Sequence, residues 1–347
     1  MHTKTESINI LGIETSCDET AAAVVANGNV VKSSVVASQG KLHEKYGGVV
    51  PEIASRAHIE NIYPVVAEAI EKSGIESEDI DAIAVANQPG LTIALMVGVT
   101  AAKTLALVWE KPLIAINHLH AHMQSAILTT GDFELPAAAL IVSGGHTSVY
   151  NYRRPLDPKL LGATIDDAAG EAFDKVAIIL KLPYPGGPEI EKIAKEGNPQ
   201  AINFPRSMLG PDSLDFSFSG IKTAVLYYCH GQDMKGKNLI DSMSRRQIAD
   251  VAASFQAAVV DVLLEKTRRA AEKINARTIL VGGGVASNEN LRAGLRAMCE
   301  SSSPPKKLLI APKHYCTDNA VMVASLAYHK FKARAFADLS LEPEASG

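Results

Sequence analysis

Ala137-Ala-Ala-Leu-Ile-Val142, Ser143-Gly-Gly-His-Thr147 and Ser148-Val-Tyr-Asn-Tyr152 read as a buried strand, a glycine-rich polar turn and a second strand. The same form occurs earlier. Ile8-Asn-Ile-Leu-Gly-Ile-Glu14 and Thr20-Ala-Ala-Ala-Val-Val-Ala26 are apolar strand-like runs joined by the turn Thr15-Ser-Cys-Asp-Glu19. A restart after roughly 130 residues implies two related α/β halves facing each other across a cleft. Asn27-Gly28 is a strong hairpin signal, so Asn29–Val36 reads as a third strand of an antiparallel meander.

The rest of each half follows by periodicity. Pro51–Ala69 reads as a helix with Ile53, Ala57, Ile62, Val65 and Val66 along one face. Ile80–Ala86 reads as a strand, Asn87–Leu91 as a loop, Thr92–Trp109 as a small-residue helix and Leu113–Ile116 as the next strand. In the second half, an irregular insert punctuated by Pro and Gly is expected at about 198–246. A long amphipathic helix over Gln247–Ile274 follows, then strands at Thr278–Val281 and Lys307–Ile310 and a closing helix over Thr317–Ala333. The expected lobes are residues 1–135 and 136–347, with the helix over 317–333 free to pack back on the first.

Composition narrows the class. With 347 residues, 47% hydrophobic and 21% charged, the chain has the makeup of a soluble globular protein with two ordinary domains. No run of about 18 apolar residues indicates a membrane span. The polar start, Met1–Ser7, has no apolar signal core and no Arg-rich presequence. Cys17, Cys229, Cys299 and Cys316 are scattered and read as reduced thiols, which points to the cytoplasm. A net charge of −4 argues against gripping nucleic acid through bulk charge, while leaving room for a local basic patch or a basic partner.

His118-Leu-His-Ala-His122 follows an apolar strand and enters a helix-like run. His118 and His122 stand at i and i+4, so on a helix both imidazoles face one way, as two nitrogen ligands of one metal must. A buried core pair or a surface pair has the same spacing. HxxxH is also the zincin pattern, but a zincin needs Glu after the first His as its base, and Leu119 stands there. Three loops have the texture of an anion or nucleotide cradle. Gly144-Gly145 follows a strand, Gly282–Asn288 follows a strand and precedes a helix start, and Thr15–Glu19 contributes Asp18 and Glu19. Neither a P-loop nor a GxGxxG fingerprint is present.

Ten segments in order now carry a resemblance: Gly12–Thr20, Tyr46–Arg56, Pro89–Leu91, His118–His122, Val142–Thr147, Asp166–Lys175, Tyr184–Pro188, Phe216–Thr223, Gly282–Asn288 and Cys316–Asn319. Together they resemble the tRNA N6-adenosine threonylcarbamoyltransferases, formerly described as O-sialoglycoprotein endopeptidases, over nearly the whole chain. The resemblance implies an α/β, two-lobed fold of the actin-like, sugar-kinase-like and Hsp70-like ATPase superfold with a central cleft. It implies transfer of threonylcarbamoyl from threonylcarbamoyl-AMP to N6 of the adenosine 3′ to the anticodon, position 37, in tRNAs reading A-starting codons, releasing AMP. It also implies one Fe2+ or Zn2+ held by His118, His122 and Asp318. Ile141, Val142, Ser143, Gly144, Gly145, Asp174, Gly187 and Asn288 would contact the adenylate, and ATP or ADP would suit the same place. The wording of Tyr46–Arg56 and Phe216–Thr223 looks bacterial, which implies two smaller partners, a catalytically inactive paralogue and a P-loop ATPase, and no membrane.

Asp18 and Glu19 are the expected catalytic acids, Asp18 as the group that takes the proton of the acceptor amine; bracing a turn is their other reading. Lys41, His43, Lys45 and Arg56, with Arg206, Lys222, Arg245 and Arg246, are together candidates for contacting tRNA phosphates; a solvated surface charge is the other reading of each. The alternatives are an ATPase or small-molecule kinase of the same superfold, a non-catalytic scaffold and, less well supported, a metalloprotease.

Overall fold

The computed structural model describes residues 7–128, 132–231 and 239–346. Most of the polar N-terminal stretch and residues 232–238 of the expected insert lie outside them. The chain forms two compact units. One comprises Met1–Gly131, Arg154–Asp157 and Thr317–Gly347, and the other Asp132–Arg153 and Pro158–Cys316.

The first unit is built on β1 (Asn9–Glu14), β2 (Glu19–Ala26), β3 (Val30–Ser38), β4 (Ala82–Gln88) and β5 (Leu113–Asn117), in the order β3-β2-β1-β4-β5. The first three are antiparallel neighbours; β4 and β5 run parallel to β1. Asn27 and Gly28 turn the hairpin with φ of 53° and 76°, the left-handed backbone that this pair adopts most readily. The short α1 (Gly40–His43) precedes α2 (Pro51–Ser73), α3 (Thr92–Val108) and α4 (His118–Ile127). Leu11, Ile13, Ala22 and Val24 face a core shared with α2 and α3. The opposite face takes α10 (Ala320–Lys332) so closely that a Cβ on Gly12 would stand 2.5 Å from the Ala320 carbonyl oxygen. A sheet covered on both faces needs continuous apolar strands, which is why β1, β2 and β4 lack polar alternation.

The second unit repeats the arrangement. Its strands β6 (Ala137–Val142), β7 (Thr147–Tyr152), β8 (Lys159–Ala163), β9 (Thr278–Gly282) and β10 (Lys307–Ile310) stand in the order β10-β9-β6-β7-β8. Strand for strand this is the first sheet again, antiparallel through β6-β7-β8 and parallel through β6-β9-β10. Its helices are α5 (Ala169–Ile179), α6 (Gly186–Ala194), α7 (Ser219–His230), α8 (Arg245–Lys273) and α9 (Glu289–Ser301). Among the described residues α8 alone is long and apolar enough to cross a membrane, and 67% of its apolar stretch is buried within the unit. The fully buried Lys266 on it donates to the carbonyls of Met208 and Ser213, pinning the irregular run before α7.

The expected irregular insert at 198–246 requires correction, because Ser219–His230 within it is a helix. Its own sequence opens Phe-Ser-Gly and supplies no side-chain cap. The cap comes from Asp166, whose carboxylate accepts from Phe218 N (2.8 Å), Ser219 N (3.2 Å) and the hydroxyls of Ser217 (2.6 Å) and Ser219 (2.7 Å). Burial pushes the Asp166 pKa up, but these bonds outweigh it and hold the group below the ordinary aspartate value. A depressed folded pKa gives stability that is present above the unfolded value and lost as pH falls through the folded one. Asp166→Ala is therefore expected to cost about 1–2 kcal/mol in urea unfolding at neutral pH. The difference from wild type should close below about pH 4; a pH-independent difference would rule out the charged cap.

Candidate metal site and glycine loops

Asn117 ends β5 and caps α4 by accepting the His120 amide at 3.0 Å, so His118 is the first helical residue. One turn on, His122 lies below it, and the two rings meet edge-to-face at 4.6 Å between centroids. Asp318 reaches them because α10 packs along α4, and Asn319 fixes the start of α10 by accepting from Met322 N. Both histidines are buried; Asp318 is partly open.

Three donor atoms converge. His122 Nε2 is 3.2 Å from His118 Nε2 and 3.2 Å from Asp318 Oδ1, and His118 Nε2 is 3.4 Å from that oxygen. Ligands about 2.0–2.1 Å from one tetrahedral ion stand about 3.3–3.4 Å apart, so the spacing suits a single Zn2+- or Fe2+-sized cation. Charge agrees. Without metal, burial pulls the His118 pKa down, yet the carboxylates of Glu14 and Asp318 hold it up at about 9. Burial lowers that of His122. The carboxylates of Glu14 and Asp318 thus bring negative charge to a buried place, which a bound cation would offset.

The turn between β1 and β2 adjoins this triad: Ser16 Oγ lies 3.1 Å from His118 Nδ1, and Leu91 N donates to the Ser16 carbonyl. Burial, then the charge of Asp318, raises the pKa of Asp18. Burial lifts Glu19 to about 7, although Ser38 Oγ donates to its Oε1 at 2.9 Å. Sequence reading missed the group behind the turn. His58, fully buried, receives the Thr20 hydroxyl on Nδ1 at 2.8 Å and donates from Nε2 to the Cys17 carbonyl at 3.0 Å. Gln39 Nε2, 3.3 Å from Nδ1, has only hydrogens to offer and fixes that tautomer.

In the second unit the glycine loops follow the carboxyl ends of neighbouring parallel strands, where open α/β sheets take ligands. Ile141 and Val142 are fully buried, so the backbone is what they present. Gly144, Gly145, Gly187 and Gly284 have open space where a Cβ would stand. Gly283 is the opposite case. Its φ is +94° and a Cβ would meet the Val142 carbonyl oxygen at 2.3 Å, so only glycine lets these strand ends close up. Asp174 accepts from Gly186 N at 2.7 Å and fixes the start of α6. Asn288 is buried, caps α9 through Leu291 N, and donates to Gln256 Oε1 at 2.7 Å. Arg292, unremarked in the sequence, ties this loop together by donating to the carbonyls of Ala286 and Ala311.

The basic residues separate into two groups. Lys41, Lys45 and Arg56 are exposed. His43 must be withdrawn as a phosphate contact: it is fully buried, accepts Val50 N on Nδ1 and meets Gln39 Oε1. Arg206, Lys222, Arg245 and Arg246 are each paired with a carboxylate, on Asp261, Asp167, Glu196 and Asp250 respectively.

A five-stranded sheet repeated in the same order, with glycine loops at the strand ends, defines the actin-like, sugar-kinase-like class of fold. Solved structures agree on the fold. Component A of (R)-2-hydroxyglutaryl-CoA dehydratase from Acidaminococcus fermentans matches with a TM-score of 0.53 at 13% identity, over 93% of this chain and 98% of that one. Full-length HypF in its phosphate- and nucleotide-bound form matches with 0.62 at 12%, over 96% of this chain and 48% of that one. Within the class, the profile of the tRNA N6-adenosine threonylcarbamoyltransferases matches residues 30–325. Proteins of that name are 52% identical in Moorella thermoacetica (96% of this chain, 95% of the relative) and 51% in Clostridium botulinum (94% and 93%). The chain belongs to this family and is a transferase.

Proposed function

We propose that this protein transfers the threonylcarbamoyl group of threonylcarbamoyl-AMP to N6 of adenosine 37 in tRNAs reading A-starting codons. The observation that carries the reading is the convergence of His118, His122 and Asp318 beside the Asp18 turn, in a chain of this family. A divalent Fe2+ or Zn2+ held by the three would supply Lewis-acid polarisation of a carbonyl. The open glycines at 144, 145, 187 and 284 let backbone amides approach the adenylate, with Asp174 and Asn288 framing them. The bond formed joins N6 to the carbamoyl carbon, the bond broken joins that carbon to the phosphate oxygen, and AMP leaves. Asp18 takes the N6 proton.

An adenine stacked in the anticodon loop must be splayed out to reach buried groups. Lys41, Lys45 and Arg56 are the cations we assign to tRNA phosphates, since they are exposed. By family resemblance the partners are an inactive paralogue and a P-loop ATPase, in the cytoplasm.

The test is incubation of the chain and these partners with synthetic threonylcarbamoyl-AMP and unmodified tRNA, followed by nucleoside analysis. Stoichiometric threonylcarbamoyladenosine is expected. Its absence with all components present would overturn the assignment.

A further inference from the structure

His118 and His122 present the same atom, Nε2, to Asp318, but their other ring nitrogens differ. Nδ1 of His122 is buried with no hydrogen-bond partner among the described residues. Nδ1 of His118 lies 2.8 Å from Glu14 Oε2. Glu14 is fully buried at the end of β1, where its other oxygen accepts Ser16 N at 2.6 Å. Its side chain is therefore held from both ends. Among the described residues no Lys or Arg pairs with it, and His118 is its ion-pair partner. An uncompensated carboxylate so deep would cost several kcal/mol.

We propose that Glu14 is the positioning residue of the metal site. Its carboxylate accepts Nδ1–H of His118, which fixes the tautomer and leaves the Nε2 lone pair directed at His122 and Asp318. Its negative charge, one imidazole away, makes Nε2 a stronger donor. Ser16 joins by geometry, its hydroxyl within reach of the same nitrogen and its amide holding Glu14. The arrangement makes His118 the braced ligand, whereas Nδ1 of His122 has no such brace among the described residues.

The inference rests on the metal reading of the triad, and the experiment separates the two. Protein stripped with a chelator is titrated with Zn2+ against a chromophoric competitor, and with Co2+ for its visible spectrum. Wild type should take one equivalent; failure to bind overturns the metal reading itself. Glu14→Gln, nearly the same shape without the charge, should bind Zn2+ about 10–100-fold more weakly, with circular dichroism unchanged and a shifted Co2+ spectrum. Wild-type affinity in this variant would overturn the role of Glu14 alone. A second readout needs no variant. Imidazole 15N spectra of the Zn2+-loaded wild type should show His118 protonated at Nδ1 and metal-bound at Nε2; the reverse assignment would overturn the proposal.

Discussion

His118→Ala and His122→Ala should each purify with almost no bound metal, whereas His120→Ala should retain it. The first two remove one of three protein donors standing 3.2–3.4 Å apart. Loss of a direct ligand costs more than loss of an outer partner, so affinity should fall by at least ~100-fold. Both side chains are buried, so each substitution also leaves a hole in the packing. His120 shares the helix and the residue type but is not one of the converging three. Elemental analysis of the purified variants decides the matter. Full occupancy in both His118→Ala and His122→Ala would dismiss the triad as a metal site, whatever the activity.

How much of this was legible before the structure depends on where each partner sits in the chain. The two sheets were readable because both faces of β1, β2, β6 and β9 are covered, which writes each strand as an unbroken apolar run. β8 was not, since Lys159–Ala163 is a short, half-exposed edge strand with neither a run nor clean alternation. Helix α7 was hidden because its cap, Asp166, lies some fifty residues upstream. The pair His118 and His122 announced itself by helical spacing, but nothing local points to Asp318, which only the family resemblance supplied. Glu14 looked like the polar end of a strand, although a carboxylate directly after Leu-Gly-Ile in a buried run is itself a signal. Charge misled at His43, which sits among lysines yet turns inward to Val50 and Gln39. Arg206 and Arg245 looked available because Asp261 and Glu196 lie about fifty residues away.

Asp18→Asn should bind the adenylate normally and transfer its acyl group slowly. The exocyclic amine of adenine is a poor nucleophile, because its lone pair is delocalised into the ring and it must shed a proton as the new bond forms. A placed base is worth about 10²–10⁴-fold in such a step. Burial and the neighbouring Asp318 charge raise the Asp18 pKa, which makes it a stronger base than an exposed aspartate. Asparagine keeps the shape and removes only the basicity. Single-turnover transfer should therefore fall by about 10²–10⁴-fold while KM for threonylcarbamoyl-AMP hardly moves. Glu19→Gln is the paired measurement. Glu19 gives one oxygen to the Ser38 hydroxyl, so its loss should cost less than that of Asp18. Wild-type transfer by Asp18→Asn, with a large loss in Glu19→Gln, would move the base one residue along the turn.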